Sequence, residues 1–338
     1  MIIKSIQTEI KYIPLKTPFI TALRRVDTIE FVRVHVICSD GEIGIGEAPA
    51  TMAITGEDIE IILASIKKVK TTLIGLDIES ALEELHKTGI GSSTKAALDI
   101  AFMSLLGFFT LEDISSINTD ITISLNPIDK MLSDAKIACS SGMNILKVKL
   151  GSDIKHAIEV THKLSATLPQ AKLLIDANQA WNLDESLVFV NAVKGFDIEL
   201  IEQPVVAQDL NALKIISQAT KIPILADEAA FTLKDVKEVV CSASADMINI
   251  KLMKCGGVSK AVEILEYARL NGVKCMLGSM LEGPYSINAA LYLAFNYRDV
   301  IEYVDLDSPL LYKEKSDELD FIFSGSKISA KGSQKDLL

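Results

Sequence analysis

Eight short apolar segments recur between residues 120 and 307 with a pitch of about 25 residues, and this repeat constrains the fold more than anything else in the chain. They are DITISLN (120–126), ILKVKL (145–150), KLLIDA (172–177), IELIEQP (198–204), IPILADE (222–228), DMINIKL (246–252), KCMLGSM (274–280) and IEYVDLD (301–307). Amphipathic stretches such as DLNALKIISQAT and VSKAVEILEYARLNG separate them, the second stopping at Asn271-Gly272 as helices do. Strand and crossover helix in strict alternation give a parallel sheet, and eight such units give an α/β barrel ringed by helices, of (β/α)7β type. An open doubly wound sheet is the competing arrangement. It needs a glycine-rich turn after its first strand, and DITISLNPID has none.

The strand ends form a ladder. Lys149, Asp176, Glu202, Asp227, Lys251, Ser279 and Asp305 close seven successive strands, at intervals of 27, 26, 25, 24, 28 and 26 residues. The C-terminal mouth of a barrel is where such folds build active sites. A single acid at a strand end is ordinarily a turn or cap residue. Three from consecutive strands, Asp176, Glu202 and Asp227, repel one another unless a cation compensates, and an all-oxygen donor set suits Mg2+, or Mn2+, rather than zinc. Lys149 and Lys251, four strands apart, flank that arc from opposite sides. Lys147 shares a strand face with Lys149. Its positive charge is expected to push a neighbouring ammonium's pKa down toward neutrality, where an amine serves as a base. Lysines snorkelling at the rim are the bland alternative, and the acids around them weigh against it.

The front of the chain reads differently. Residues 1–48 alternate as strands, with SDGE as a hairpin turn between two of them. Helical periodicity covers 57–73, 77–88 and 92–109, with Ser92, Ser93 or Thr94 as cap of the third. Residues 1–118 therefore form an α+β unit, and residues 119–309 the barrel. A chain of 338 residues, 49% hydrophobic, has enough apolar content for two such units. A net charge of -11 without any basic block argues against nucleic-acid binding. The longest apolar runs, such as AFMSLLGFF, are too short to span a bilayer, so no membrane partner is expected. Five cysteines without a C-x-x-C read as reduced thiols of a cytoplasmic protein. The histidines, His35, His86, His156 and His162, fall in a cap strand or outer helices and read as surface residues.

Taken together, Lys-x-Lys, IDAN, IEQP, ADE and NIKL resemble the enolase superfamily, specifically its muconate-lactonizing subgroup. The resemblance covers nearly the whole chain and implies an N-terminal capping domain joined by the tail, 310–338. It implies Mg2+ held by Asp176, Glu202 and Asp227, with Asn178 and Glu228 in support. It implies Lys149 and Lys251 as the acid/base pair, one on each face of the substrate, with Lys147 on the substrate carboxylate. The chemistry implied is proton abstraction beside a carboxylate through an enediolate.

Two further motifs narrow this. Asp305 and Asp307 in VDLDSP resemble the Asp-x-Asp of dipeptide epimerases, which holds the substrate's α-ammonium group. Arg24, in PFITALRRVD, matches the loop arginine that L-Ala-D/L-Glu epimerases aim at the glutamate side chain; Arg25 beside it is the alternative. Thr122 and Ser279 match substrate-contacting positions, and Thr51, Ile54 and Thr55 in TMAITGED would wall the pocket. The LEGPYSIN loop departs from the subgroup's pattern. The expectation is a dipeptide epimerase inverting the second residue, with an acidic residue preferred there, as in L-Ala-L-Glu. A murein-peptide role follows from that substrate by association. A cycloisomerase or o-succinylbenzoate synthase is the alternative, and its substrates carry no ammonium group for the aspartates. The sequence leaves a homo-oligomer open.

Overall fold

The computed structural model describes residues 1–22, 24–111 and 115–331. The front unit is a three-stranded antiparallel sheet, Ile3–Ile20, Arg25–Cys38 and Ile43–Pro49, backed by helices Ile59–Leu73, Ile78–Lys87 and Ser92–Leu105. The turn expected at SDGE is present, with Gly41 at φ 96°. Gly44 and Gly46 let the third strand press onto the last helix: a Cβ at Gly46 would lie 1.9 Å from the Ala97 carbonyl oxygen. That helix is buried on both sides. Ala97, Leu98, Ala101 and Phe102 join the cap core, while Ala96, Ile100 and Met103 join the barrel core.

Its N-terminus is not capped by its own Ser92, Ser93 or Thr94. Gly91 occupies the cap position, and the buried Glu57 carboxylate accepts from Ser93 N at 2.7 Å and from Thr94 N at 3.1 Å. A carboxylate from the loop before helix Ile59–Leu73 thus satisfies the orphan amides that a local hydroxyl was expected to take.

The eight parallel strands are Ile121–Ile123, Ile145–Lys149, Lys172–Asp176, Ile198–Glu202, Ile224–Ala226, Met247–Lys251, Lys274–Gly278 and Ile301–Asp305, paired in chain order, and the architecture is a TIM-like barrel with a capping domain. The period of two explains the ladder. Leu174, Leu200, Leu225, Met247 and Met276 form one interior cluster. Asp176, Glu202, Asp227, Asn249 and Gly278 lie two residues further along the same strands, on the same face, one layer nearer the mouth. Gly278 is required there: a Cβ would come within 2.8 Å of Asn249 Oδ1 and 3.1 Å of Lys251 Cε.

Between the first and eighth strands no ladder forms among the described residues. Four single bonds join them instead. Asp120 N and Thr119 Oγ1 donate to Val304 O at 3.1 and 3.2 Å, Leu306 N donates to Thr119 Oγ1, and Thr122 N donates to Asp307 Oδ2 at 2.7 Å.

The tail touches both units. Lys313 N donates to Pro14 O, and Glu318 pairs with Arg33 of the cap. The hairpin Phe321–Ser324 with Lys327–Ala330 pairs with Ile117–Asn118 and adds Phe321 and Ile328 to the barrel core. Among the described residues no helix is long and apolar enough to cross a membrane, and all five cysteines are free thiols.

Candidate active site

One cavity at the barrel mouth is lined by Lys149 from the second strand and Lys251 from the sixth. Arg24, Thr122, Asp227, Ser279, Asp305 and Asp307 belong to its polar wall, as do Asn178 and Glu228, with Phe19, Ile54, Met280 and Leu281 as its apolar one. Lys147, Asp176 and Glu202 lie just behind it, with no exposed surface. The two lysines of the expected acid/base pair, Lys147, the three acids and the expected substrate contacts Arg24, Thr122, Ser279, Asp305 and Asp307 therefore sit in this wall or directly against it.

The buried charges are tightly interlocked. Lys149 Nζ donates to Asp176 Oδ2 at 2.5 Å, and Lys251 Nζ to Asp227 Oδ2 at 2.7 Å. Lys147 Nζ lies 2.5 Å from Asp305 Oδ2, 2.6 Å from Glu202 Oε2 and 3.4 Å from Asp176 Oδ2. This corrects the expected electrostatics. Burial pulls the Lys147 ammonium down, but Asp305, Glu202 and Asp176 overcome it and hold it well above the usual lysine range. Burial likewise opposes the Lys251 charge, and Asp227 raises it nonetheless. Lys147 is thus no bare positive neighbour; its charge is spent on three acids that only the folded chain brings to it.

The acids divide by their partners. Burial disfavours ionised Asp176 and Asp227, but the lysines hold both below the ordinary carboxylate range. Glu202 is pushed up to about 8 by burial and by Asp176, because Lys147 serves three anions at once. Glu228 is pushed up to about 7 by burial and by Asp227.

The donor chemistry suits a hard divalent cation, although among the described residues the acids whose oxygens all lie within 4.8 Å of one another are Asp120, Asp305 and Asp307. Asp176, Glu202 and Asp227 offer oxygen only. Several buried oxygens here have no hydrogen-bond donor: both of Glu228, Asn178 Oδ1, and Glu202 Oε2, which lies close to Lys147 but out of alignment. Buried acceptors without donors are costly, and a cation relieves that cost.

Of the two loop arginines, Arg24 faces the cavity and its guanidinium has no partner among the described residues. Arg25 is exposed and pairs with Asp27 at 3.1 Å. Of the three residues expected as pocket walls, Ile54 lines the cavity; Thr51 and Thr55 belong to the short helical turn Met52–Thr55 and its cap. The unusual LEGPYSIN loop has a packing reason. Glu47 of the cap accepts from Tyr285 N and Ser286 N at the start of helix Pro284–Asn296, and a Cβ at Gly283 would lie 2.5 Å from Glu47 Oε2.

His86 departs from its reading as a surface residue: it bonds Asp99 and Ser259 where cap meets barrel. No described histidine lines the cavity.

Three residues escaped the sequence reading. Asn249 Nδ2 donates to Glu202 Oε1 at 2.9 Å. Lys254, fully buried, donates to Asp227 Oδ1 and to the carbonyls of Asp227 and Asn249. Asp120 has carboxylate oxygens within 4.8 Å of those of Asp305 and Asp307. The available signals were the i, i+3 spacing of Lys251 and Lys254, and the way Asp120 and Thr122 repeat the i, i+2 spacing of Asp305 and Asp307.

Residues 130–331 match the family model described as enolase C-terminal domain-like. An L-amino acid-D/L-Glu epimerase from Sulfurimonas denitrificans is 58% identical, over 97% of this chain and 99% of that one. A substrate-liganded L-Ala-D/L-Glu epimerase from Bacillus subtilis superposes with a TM-score of 0.91 at 36% identity, covering 98% of this chain and 96% of that one. A dipeptide epimerase from Enterococcus faecalis, solved with Mg and L-Leu-L-Tyr, superposes with a TM-score of 0.90 at 30% identity, covering 98% and 97%.

Proposed function

This chain belongs to the enolase superfamily, as an isomerase of its dipeptide-epimerase branch, and from that premise we propose that it inverts the second residue of L-Ala-Glu-like dipeptides by a two-base proton transfer. The carrying observation is that Lys149 and Lys251 enter one cavity from strands four apart, beside the Asp305–Asp307 pair. In this reading the aspartates hold the α-ammonium group and orient the dipeptide along the cavity. Its α-carbon then lies between the two amines. One lysine, in its free-base form, takes the α-proton from one face, and the other, protonated, returns one to the opposite face, so the reaction runs both ways. Lys147, just behind the wall, would stabilise the negative charge that collects on the substrate carboxylate.

Asp176, Glu202 and Asp227 would hold Mg2+, which supplies further electrostatic stabilisation of that developing charge. Arg24 reads the second residue's side-chain carboxylate, in keeping with a guanidinium in the wall that is unpaired among the described residues. The Enterococcus faecalis protein was solved with tyrosine as second residue, a side chain without a carboxylate. The enzyme would work as a cytoplasmic, murein-peptide-directed catalyst of small substrates.

The test is deuterium uptake. Incubation with Mg2+ and a library of L,L-dipeptides in D2O should add one mass unit to Ala-Glu-like members, and a chelator should abolish the gain. Exchange confined to neutral dipeptides would remove the Glu preference. Absence of exchange with every dipeptide would return the site to cycloisomerase or synthase chemistry.

A further inference from the structure

The proposed mechanism leaves one buried ionisable group at the site unused. Asp120 precedes the first barrel strand and has no exposed surface, and neither of its carboxylate oxygens has a hydrogen-bond donor. Its backbone is fixed, since Asp120 N donates to Val304 O across the seam. Asp120 and Thr122, two residues apart, stand opposite Asp305 and Asp307. The charged groups that face Asp120 are those two aspartates and Lys147. The Lys147 ammonium is already committed to Asp305, Glu202 and Asp176. Thr122 N serves Asp307 Oδ2.

An isolated anion in such a place is costly, and a bound proton removes the cost. A protonated carboxyl is a donor, and the acceptors within reach are the two aspartates. Lys147 occupies Asp305 Oδ2, which leaves Asp305 Oδ1 for a second donor.

We propose that Asp120 is a positioning residue of the ammonium subsite: a neutral carboxylic acid whose hydroxyl donates to Asp305 and fixes the direction in which that carboxylate meets the substrate's α-ammonium group. Burial, together with the charges of Asp305 and Asp307, favours the protonated form and pushes the Asp120 carboxyl well above the ordinary range. Asp120 does not bind the cation itself. It holds Asp305 from one side as Lys147 does from the other. The inference rests on the reading of Asp305 and Asp307 as the ammonium subsite.

Two measurements separate the failure of this inference from the failure of that reading. The first is the infrared difference spectrum of the free protein at neutral pH, wild type minus Asp120→Asn. A protonated-carboxyl band present in the wild type and missing from the variant is expected, and identical acid bands in the two proteins would overturn the proposal. The result needs no substrate. The second is the kinetics on L-Ala-L-Glu. Asp120→Asn keeps a neutral donor and should hold KM within about threefold, whereas Asp120→Leu removes the donor and should raise KM about tenfold or more, with kcat changed less. An asparagine variant as damaged as the leucine variant would mean that Asp120 acts as an anion, and an undamaged leucine variant would mean that it positions nothing. If the wild type turns over no dipeptide, the functional reading falls while the infrared result still decides the state of Asp120. If Asp120→Leu does not fold, the spectrum and Asp120→Asn suffice.

Discussion

Replacing Lys147 by methionine tests the charge arrangement most directly. The substitution keeps an unbranched side chain of similar length and removes one ammonium from a place with no exposed surface. It leaves Asp305, Glu202 and Asp176 without the cation that lies 2.5, 2.6 and 3.4 Å from their oxygens. Removing one partner of a buried pair costs ~3–5 kcal/mol. The lower end applies here, because Glu202, already pushed up to about 8, can take a proton and Asp176 keeps Lys149. A loss of ~3 kcal/mol in a chain of this size lowers Tm by ~4 °C.

The pH dependence carries a sign. Asp305 and Asp176 are held below their ordinary values in the wild type. Their contribution is therefore complete above the unfolded-state value and is lost as pH falls through the depressed one. The variant lacks most of that contribution, so the gap between the two proteins is full above pH ~4 and narrows as pH falls below it. Thermal denaturation followed by circular dichroism, across that range and with or without Mg2+, measures it. Added Mg2+ should recover more of the loss in the variant, where the acids have no other compensation. A loss below ~1 kcal/mol with no pH dependence would refute the reasoning. It would mean that the acids around Lys147 are neutral and the ammonium was never needed.

Lys251→Ala should silence α-proton exchange from one epimer of the dipeptide and spare the other, with Lys149→Ala showing the converse by proton NMR in D2O; exchange persisting from both epimers in either variant would end the assignment of one base to each face. Arg24→Met should raise KM for Glu-containing dipeptides about tenfold or more and leave neutral ones unchanged, as competition between the two classes would show. Burial and Asp305 push the Asp307 carboxyl up to about 6 in the free protein, so the ammonium site loses charge as pH falls through that value. The kcat/KM profile should then drop about tenfold per pH unit below it, and Asp307→Asn should remove that limb. Glu47, fully buried between Arg33 and the amides of Tyr285 and Ser286, ties cap to barrel, so Glu47→Ala should cost ~3–5 kcal/mol in a urea titration.

The ladder was legible because two regularities coincide in it. Period-two alternation points Leu174 and Asp176, or Leu200 and Glu202, to the same side, and the βα pitch brings successive strand ends to one rim. What stayed hidden was set by contacts distant in sequence. Glu57 caps a helix whose own serines looked sufficient, and no local pattern announces a carboxylate 35 or more residues upstream. The acids around Lys147 stayed hidden because the nearest charge in sequence is Lys149, while the nearest in space are acids on three other strands. Asp120 was overlooked because it opens the DITISLN segment, whereas the ladder was read from the C-terminal ends of the strands. Lys254 sits in a one-turn helix after the sixth strand, where the strand period no longer says which way a side chain points.

The seam between the first and eighth strands bears on how such an enzyme can change. Elsewhere the ring is closed by main-chain bonds, which are indifferent to side-chain identity. Here three of the four bonds pass through the side chains of Thr119 and Asp307, and Asp307 also belongs to the wall that would receive the substrate's amine. A mutation that abandons the amine therefore also loosens the barrel, and a lineage drifting toward amine-free substrates must first find another way to close it. Arg24 carries no such double duty: it sits in a loop of the cap, and no described residue leans on its guanidinium. A change at Arg24 therefore leaves the barrel's closure intact, whereas a change at Asp307 does not.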